Sequence, residues 1–229
     1  MARDIPRWGS ERIWGELLKR GIAVGTRSIR RYRGRGPARP PSQTWRTFLQ
    51  NHAGTSWAAD LLTVQTRTLK VGYVLVVITH GRREVVHVNV TAHPTAAWVW
   101  RQVVEATAWG LRPRFLLRDR DAVVGGDFAQ RAAALGVGTL LAPVRAPRAN
   151  AVAERVIGTL RRECLDHVTV LSERHRRTVL SEFLRYYNRD RPHRTLHPQT
   201  PQPHVVTTTG LIRARPVLGG LRHVYERAA

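Results

Sequence analysis

The chain has 229 residues, 42% of them hydrophobic and 24% charged, enough for a packed core in one large domain or one domain plus an appendage. Its 38 Lys+Arg against 16 Asp+Glu give a formal net charge of +22, which points to a polyanionic partner whose phosphates would be neutralised in a salt-dependent way. A single cysteine, Cys164, excludes an internal disulfide framework and a multi-cysteine zinc site, and no apolar stretch approaches the roughly 20 residues of a membrane span.

Only Lys19 and Lys70 are lysines, so the positive charge is almost wholly arginine, whose planar fork suits phosphate. With no secretory apolar region in MARDIPRWGSER, the expected compartment is a reducing cytoplasm, in association with the nucleoid.

Helical spacing of Ile13, Leu17 and Leu18 predicts a helix over 11–20, stopped by Gly21, and Thr26 can cap a second helix, TRSIRRYR. Two short helices about a tight turn, the second loaded with arginine, form a basic helix-turn-helix-like segment. The stretch GRGPARPPSQ (34–43) is rich in proline and glycine and reads as a linker. Segments 57–64, 73–79 and 84–91 are β-branched and aromatic and predict three successive strands. Pro94 opens a helix through AAWVWRQVVEATAW. A strand over 114–117, a helix over 127–135 ended by Gly136, and a strand over 137–142 follow, with helices at about 148–165 and 172–188. This order predicts an α/β domain, a mixed five-stranded sheet flanked by helices. After Asn188 the chain is polar and rich in Pro and His, which argues against a packed core there and predicts a segment that drapes over the domain or contacts DNA. The division expected is 1–36 DNA-binding segment, 37–50 linker, 51–203 core and 204–229 tail.

Three acids stand out in so basic a chain: Asp60 in TSWAADLLTV, Asp119 ending RFLLRD, and Glu154 in PRANAVAERVIGTLRREC. Asp60 falls within the first strand and Asp119 at the end of the fourth, where ligands converge in open sheets. Glu154 lies four residues after Asn150, on the same helix face. An ionised carboxylate in an apolar strand needs compensation, and three brought together repel one another. Two divalent ions, Mg²⁺ or Mn²⁺, would offset that repulsion, since hard cations take oxygen ligands. Taken singly, Asp119 between two arginines reads as a surface ion pair and Glu154 as a solvated helix residue.

PRANAVAERVIGTLRREC, with Asn150 four residues before Glu154, resembles the signature around the catalytic Glu of retroviral-type integrases and bacterial insertion-sequence transposases. RFLLRDRDAVVGGDFAQ resembles the region of that family's second catalytic Asp, and YYNRDRPHRTLHPQTP the segment that closes its core. The likeness spans about 45–203, and the N-terminal helices resemble these enzymes' DNA-binding region. It implies a ribonuclease-H-like fold, with Asp60, Asp119 and Glu154 as catalytic metal ligands for two Mg²⁺ or Mn²⁺ ions. It also implies cleavage and strand transfer on double-stranded DNA, transposon ends and target, by a homo-oligomer.

Where relatives carry a small pair after the second Asp, Arg120 and Asp121 stand here, so Asp121 is a rival ligand, although the 119-to-154 spacing fits better. Arg148, Asn150, Arg155, Arg161 and Arg162 are candidate DNA contacts. His193, with Arg194, is a candidate for DNA or core-capping contacts. The short N-terminal region also fits a truncated copy, a catalytically silent DNA-binding remnant. A basic RNA-binding protein would give no reason for the acids and lacks the expected aromatic stripe.

Overall fold

The computed structural model describes residues 9–32, 45–119, 122–142, 150–205 and 207–228, and the chain divides into two compact units, 1–44 and 45–229. In the first unit, α1 (Ser10–Leu18) and α2 (Thr26–Tyr32) contact each other and bury Ile13 and Ile29. Gly21 follows α1 with φ +72°, a left-handed conformation that glycine adopts without steric penalty. The helical pair expected from the sequence is therefore present.

The second unit holds α3 (Trp45–His52), then three antiparallel strands, β1 (Ser56–Gln65), β2 (Val71–Thr79) and β3 (Val85–Thr91). Next come α4 (Ala96–Ala106), β4 (Phe115–Arg118), α5 (Phe128–Ala134) and β5 (Gly138–Leu141). Helices α6 (Ala151–Glu163) and α7 (Glu173–Arg189) follow, and β6 (Leu211–Val217) and β7 (Arg222–Ala228) form a separate hairpin. The sheet order is β3-β2-β1-β4-β5, with β4 parallel to β1 and β5 parallel to β4. This is the mixed five-stranded sheet the sequence predicts.

Both faces of the sheet are apolar, because alternate residues of its central strands point opposite ways. Ala58, Leu62, Val74, Val76 and Ile78 pack with Val156 and Leu160 of α6 and Leu180 and Phe183 of α7. Trp57, Ala59, Leu75, Val77 and Leu116 pack with Val99 and Val103 of α4 and Phe128 of α5. Helix α4 begins at Ala96, two residues after the proline that opens it in the sequence reading. Its cap is Thr95, whose hydroxyl accepts the Trp98 N–H at 3.2 Å. On α7, Arg176 is 3% exposed, and its Nη1 lies 1.4 Å from where a side chain on Gly72 of β2 would begin. The missing Cβ makes room for that guanidinium.

Three segments are organised by contacts the sequence does not show. Helix α3 occupies part of the expected linker over 37–50, because Phe48 and His52 each meet the Phe115 ring at 5.2 Å. The polar segment after α7 lies against the body of the unit, one of the two placements expected for it. Asn188 pairs with the backbone of Val85 at both N–H (3.0 Å) and C=O (2.9 Å), and Arg82 donates to the carbonyls of Pro201 (2.7 Å) and Thr200 (2.9 Å). Finally, most of the expected tail, 204–229, is the β6–β7 hairpin, turning through Gly219 (φ +65°) and Gly220 (φ +95°). Among the described residues no helix is long and apolar enough to cross a membrane.

Candidate active site

Strand β1 runs parallel to β4 with Ala58 opposite Leu117 and Ala59 opposite Arg118. The pairing ends there, one residue before Asp60 on β1 and one before Asp119, which follows β4. Neighbouring strands lie about 4.8 Å apart. Both acids share the parity of Ala58 and Leu117, whose side chains belong to the α6–α7 layer. Arg118 has the opposite parity, and its guanidinium lies over the Phe128 ring of α5 at 5.0 Å. Its Nη1 donates to the Asp119 carbonyl at 3.2 Å, and burial lowers its pKa. Alternation along β4 thus turns the cation to one layer and the carboxylate to the other.

Asp60 is half-buried and accepts the Leu61 N–H at 2.8 Å. Asn150 is the N-cap of α6 and is 2% exposed. An asparagine there ordinarily accepts a helix N–H through its side-chain oxygen. Here the side chain makes no such cap; Nδ2 donates toward Asp119 Oδ1 at 3.5 Å. Its Oδ1 is buried and has no hydrogen-bond partner among the described residues. Glu154 sits on the first turn of α6, exposed, off the stripe of Val152, Ala153, Val156, Thr159 and Leu160 that packs inward. A carboxylate in a first helical turn is favoured by the helix dipole.

The arrangement brings Asn150 to Asp119, with Asp60 on the strand paired to β4 and Glu154 exposed on the first turn of α6. Among the described residues no three of His, Cys, Asp and Glu stand close enough to hold a metal ion, so the expected three-acid pocket is not assembled. Asp121, Arg120 and Arg148 lie outside the described residues. The side chains in question, the carboxylates of Asp60, Asp119 and Glu154 with the amide of Asn150, carry oxygen donors and no sulfur or imidazole. That chemistry fits a hard divalent cation and would not suit a soft one.

Of the candidate DNA contacts, Arg155, Arg161 and Arg162 are exposed, and Arg161 donates to the Thr63 carbonyl at 3.2 Å. Asn150 is buried and acts on Asp119. His193 is buried as well, its ring 4.6 Å from that of Tyr187, with Nε2 3.3 Å from the Tyr187 carbonyl. Burial lowers its pKa, so it packs as a neutral ring. The geometry therefore favours core capping for His193 over DNA contact. Two residues give no signal in the sequence. Arg118 is one; the other is Arg83, at the β2–β3 turn with φ +59°, whose pKa is lowered by burial and by the charge of Arg155. Neither is set in a motif; each gains its place only through the fold.

Residues 135–201 match the model of the family described as integrase core domain. The structure is similar to the HTLV-2 integrase catalytic core domain, solved in complex with magnesium, with a TM-score of 0.52 at 12% identity, covering 65% of this chain and 93% of that one. It is also similar to a chain of the simian T-cell lymphotropic virus intasome in complex with the PP2A regulatory subunit B56 gamma. There the TM-score is 0.51 at 14% identity, covering 99% of this chain and 86% of that one. No curated protein matches the sequence. The second unit thus has the ribonuclease-H-like fold of retroviral integrase catalytic cores, and residues 135–201 within it match the integrase core domain.

Proposed function

We propose that this chain is a DNA transposase or integrase that cuts DNA and transfers the cut strand in a divalent-metal-dependent reaction, with Asp60, Asp119 and Glu154 as the acids that carry it. The observation behind this reading is the 3.5 Å contact of Asn150, at the start of the helix that bears Glu154, with Asp119, which follows β4, the strand paired in parallel with the one that carries Asp60. The magnesium bound to the HTLV-2 core belongs to that protein; here the all-oxygen donor set supports the same class of ion. A bound Mg²⁺ or Mn²⁺ would polarise phosphoryl oxygens and lower the pKa of an attacking water or hydroxyl.

The residues themselves have separate tasks. Asp60 offers carboxylate oxygens from within β1 and Asp119 from the residue after β4. Asn150 orients Asp119 through its amide. Glu154 offers the third carboxylate from the rim, on the side open to a polymer substrate. The net charge of +22 attracts that polymer and, with the exposed Arg155 and Arg162, neutralises its phosphates. Because two DNA ends must be joined in one event, the working form is a homo-oligomer on double-stranded DNA, in the bacterial cytoplasm.

A catalytically silent, DNA-binding remnant is the second reading, favoured by the lack of an assembled acid trio among the described residues. One assay separates the two. A labelled duplex carrying the sequences that flank the coding region is incubated with the protein in Mg²⁺, Mn²⁺ or chelator. The catalytic reading expects metal-dependent strand-transfer product that disappears in Asp60→Asn, Asp119→Asn and Glu154→Gln while binding persists. Binding without product in any metal establishes the silent form, and full activity of Glu154→Gln removes that residue from the site.

A further inference from the structure

Arg118 closes β4, and its guanidinium makes no ion pair among the described residues. It is the last residue of that strand in either ladder, opposite Ala59 of β1 and Leu141 of β5. Its own carbonyl accepts the Ala142 N–H at 3.0 Å, which completes the pairing on the β5 side. The carbonyl of Asp119, one residue on, lies beyond the ladder and accepts instead from the Arg118 side chain, Nη1 to O at 3.2 Å. The cation is itself held in place. Its guanidinium carbon lies 5.0 Å from the centroid of the Phe128 ring on α5, and that ring stands edge-on to Trp100 of α4, centroids 5.7 Å apart. Phe128 is 2% exposed, so close packing leaves the ring little freedom to shift.

An arginine is a costly way to fill that space. Its Nε is buried and has no hydrogen-bond partner among the described residues, a desolvation that a methionine of similar length would avoid. The contacts that offset it are the stacking on Phe128 and the bond to the Asp119 carbonyl. That bond acts where the backbone leaves the sheet. Upstream, the strand fixes the chain; downstream, Arg118 fixes the carbonyl. The two soft dihedrals of Asp119 are then set, and its Cα–Cβ bond has one direction. Asp119 is held at both ends, its main chain by Arg118 and its Oδ1 by Asn150 Nδ2 at 3.5 Å. A ligand set works only when held within about 0.5 Å of its productive geometry, so restraint of this kind has a use at a metal-binding acid.

We propose that Arg118 is a positioning residue for the divalent-metal site: clamped on Phe128, its guanidinium holds the Asp119 carbonyl and so sets the direction in which Asp119 presents its carboxylate to the ion. The inference rests on the proposed function, in which Asp119 is a metal-binding acid. Arg118 touches neither the ion nor DNA, since its guanidinium is turned to the α5 layer. Arginine suits the position because a planar fork can stack on a ring and donate from its edge at once, whereas lysine can donate without stacking.

The test uses the full chain. Mn²⁺ affinity is measured from the electron paramagnetic resonance signal of the free ion, with Asp119→Asn as the reference for a lost site. Strand transfer is assayed over a series of Mg²⁺ concentrations, and duplex affinity is read by fluorescence anisotropy without divalent metal. Arg118→Met keeps the stem and removes the donors. It weakens Mn²⁺ binding and raises the Mg²⁺ midpoint by about 10–100-fold, as loss of a contact supporting a metal ligand does, while duplex affinity stays parental. Arg118→Lys, whose ammonium can reach the carbonyl, recovers part of both. Phe128→Leu leaves the donors and removes the ring beneath them, so its Mn²⁺ affinity falls between those of the parent and Arg118→Met. Parental Mn²⁺ affinity in Arg118→Met overturns the inference, as does a slower reaction with an unmoved Mg²⁺ midpoint or a lysine variant no better than the methionine one. A loss of duplex affinity that matches the loss of rate assigns Arg118 to DNA and also overturns it. Should Arg118→Met fail to fold, Phe128→Leu decides, parental Mn²⁺ affinity there removing the clamp. A parent that binds Mn²⁺ no better than Asp119→Asn and transfers no strand overturns the proposed function and this inference together. A parent that does both, with variants to match, overturns the part of Arg118 alone.

Discussion

Asn150 reaches Asp119 across the start of α6, 3.5 Å from amide nitrogen to carboxylate oxygen, while its own carbonyl oxygen is buried without a partner among the described residues. A side chain placed to cap a helix instead orients an acid on a strand. In metal sites such supporting contacts are worth about 10–100-fold in affinity or activity. Asn150→Ala is therefore expected to retain the fold and to lower strand transfer by about that factor. The Mg²⁺ concentration for half-maximal rate should rise in parallel. A lowered rate with an unmoved Mg²⁺ midpoint assigns Asn150 to packing alone.

Glu163 at the end of α6 and Arg191 beyond α7 form a bidentate pair, Oε1 to Nη2 at 2.6 Å and Oε2 to Nε at 2.8 Å. Burial pushes the Glu163 carboxyl up, but the Arg191 hydrogen bonds and the charges of Arg191, Arg222 and Arg162 outweigh it and hold it below its ordinary value. A depressed carboxyl stabilises the fold above its unfolded pKa of about 4.3, and that stabilisation is lost as pH falls through the lowered native value. Arg191→Met should cost about 2 kcal/mol at neutral pH, typical of hydrogen bonds to charged groups. Urea titrations at neutral and acid pH should show a smaller loss on acidification in Arg191→Met than in the parent. Equal acid losses would remove this pair from the pH dependence.

Gly72 and Arg176 compete for one volume. Gly72→Ala forces the buried guanidinium off β2 and should destabilise by about 1–3 kcal/mol, as overpacking does. In an Arg176→Met background, whose thioether can rearrange, the same substitution should cost less, and the difference is the coupling between the two sites. Thermal denaturation of the four proteins in the cycle measures it. Strict additivity would show that the glycine serves backbone freedom only.

Much of this is legible in the sequence, for physical reasons that differ by element. The central strand β2 announces itself because a strand buried on both faces must be apolar along its length, as in YVLVVIT. Helix α6 is legible from the spacing of Val152, Val156 and Leu160, and Asp60 from being an acid where apolar residues belong. The hairpin escapes a sequence reading because its strands are short, charged and mostly exposed, so LIRARPV carries little apolar alternation. Asn188, His193 and Pro201 look like surface residues by composition. They are buried because their partners, Val85, Tyr187 and Arg82, arrive from elsewhere in the unit. Glu154 is readable as a residue but its distance from the paired acids is not, since helix orientation is set by packing and not by sequence spacing.

The parallel pairing of β4 with β1 has a consequence for how the chain is made. The β1–β3 meander is local and can form as soon as it leaves the ribosome, whereas a parallel neighbour needs a crossover, here supplied by α4. A nascent polypeptide that has emerged only through β3 carries the first aspartate alone, and its companion slides in beside it with a later segment. The paired oxygens are thus a property of the finished sheet, withheld from every shorter intermediate of synthesis.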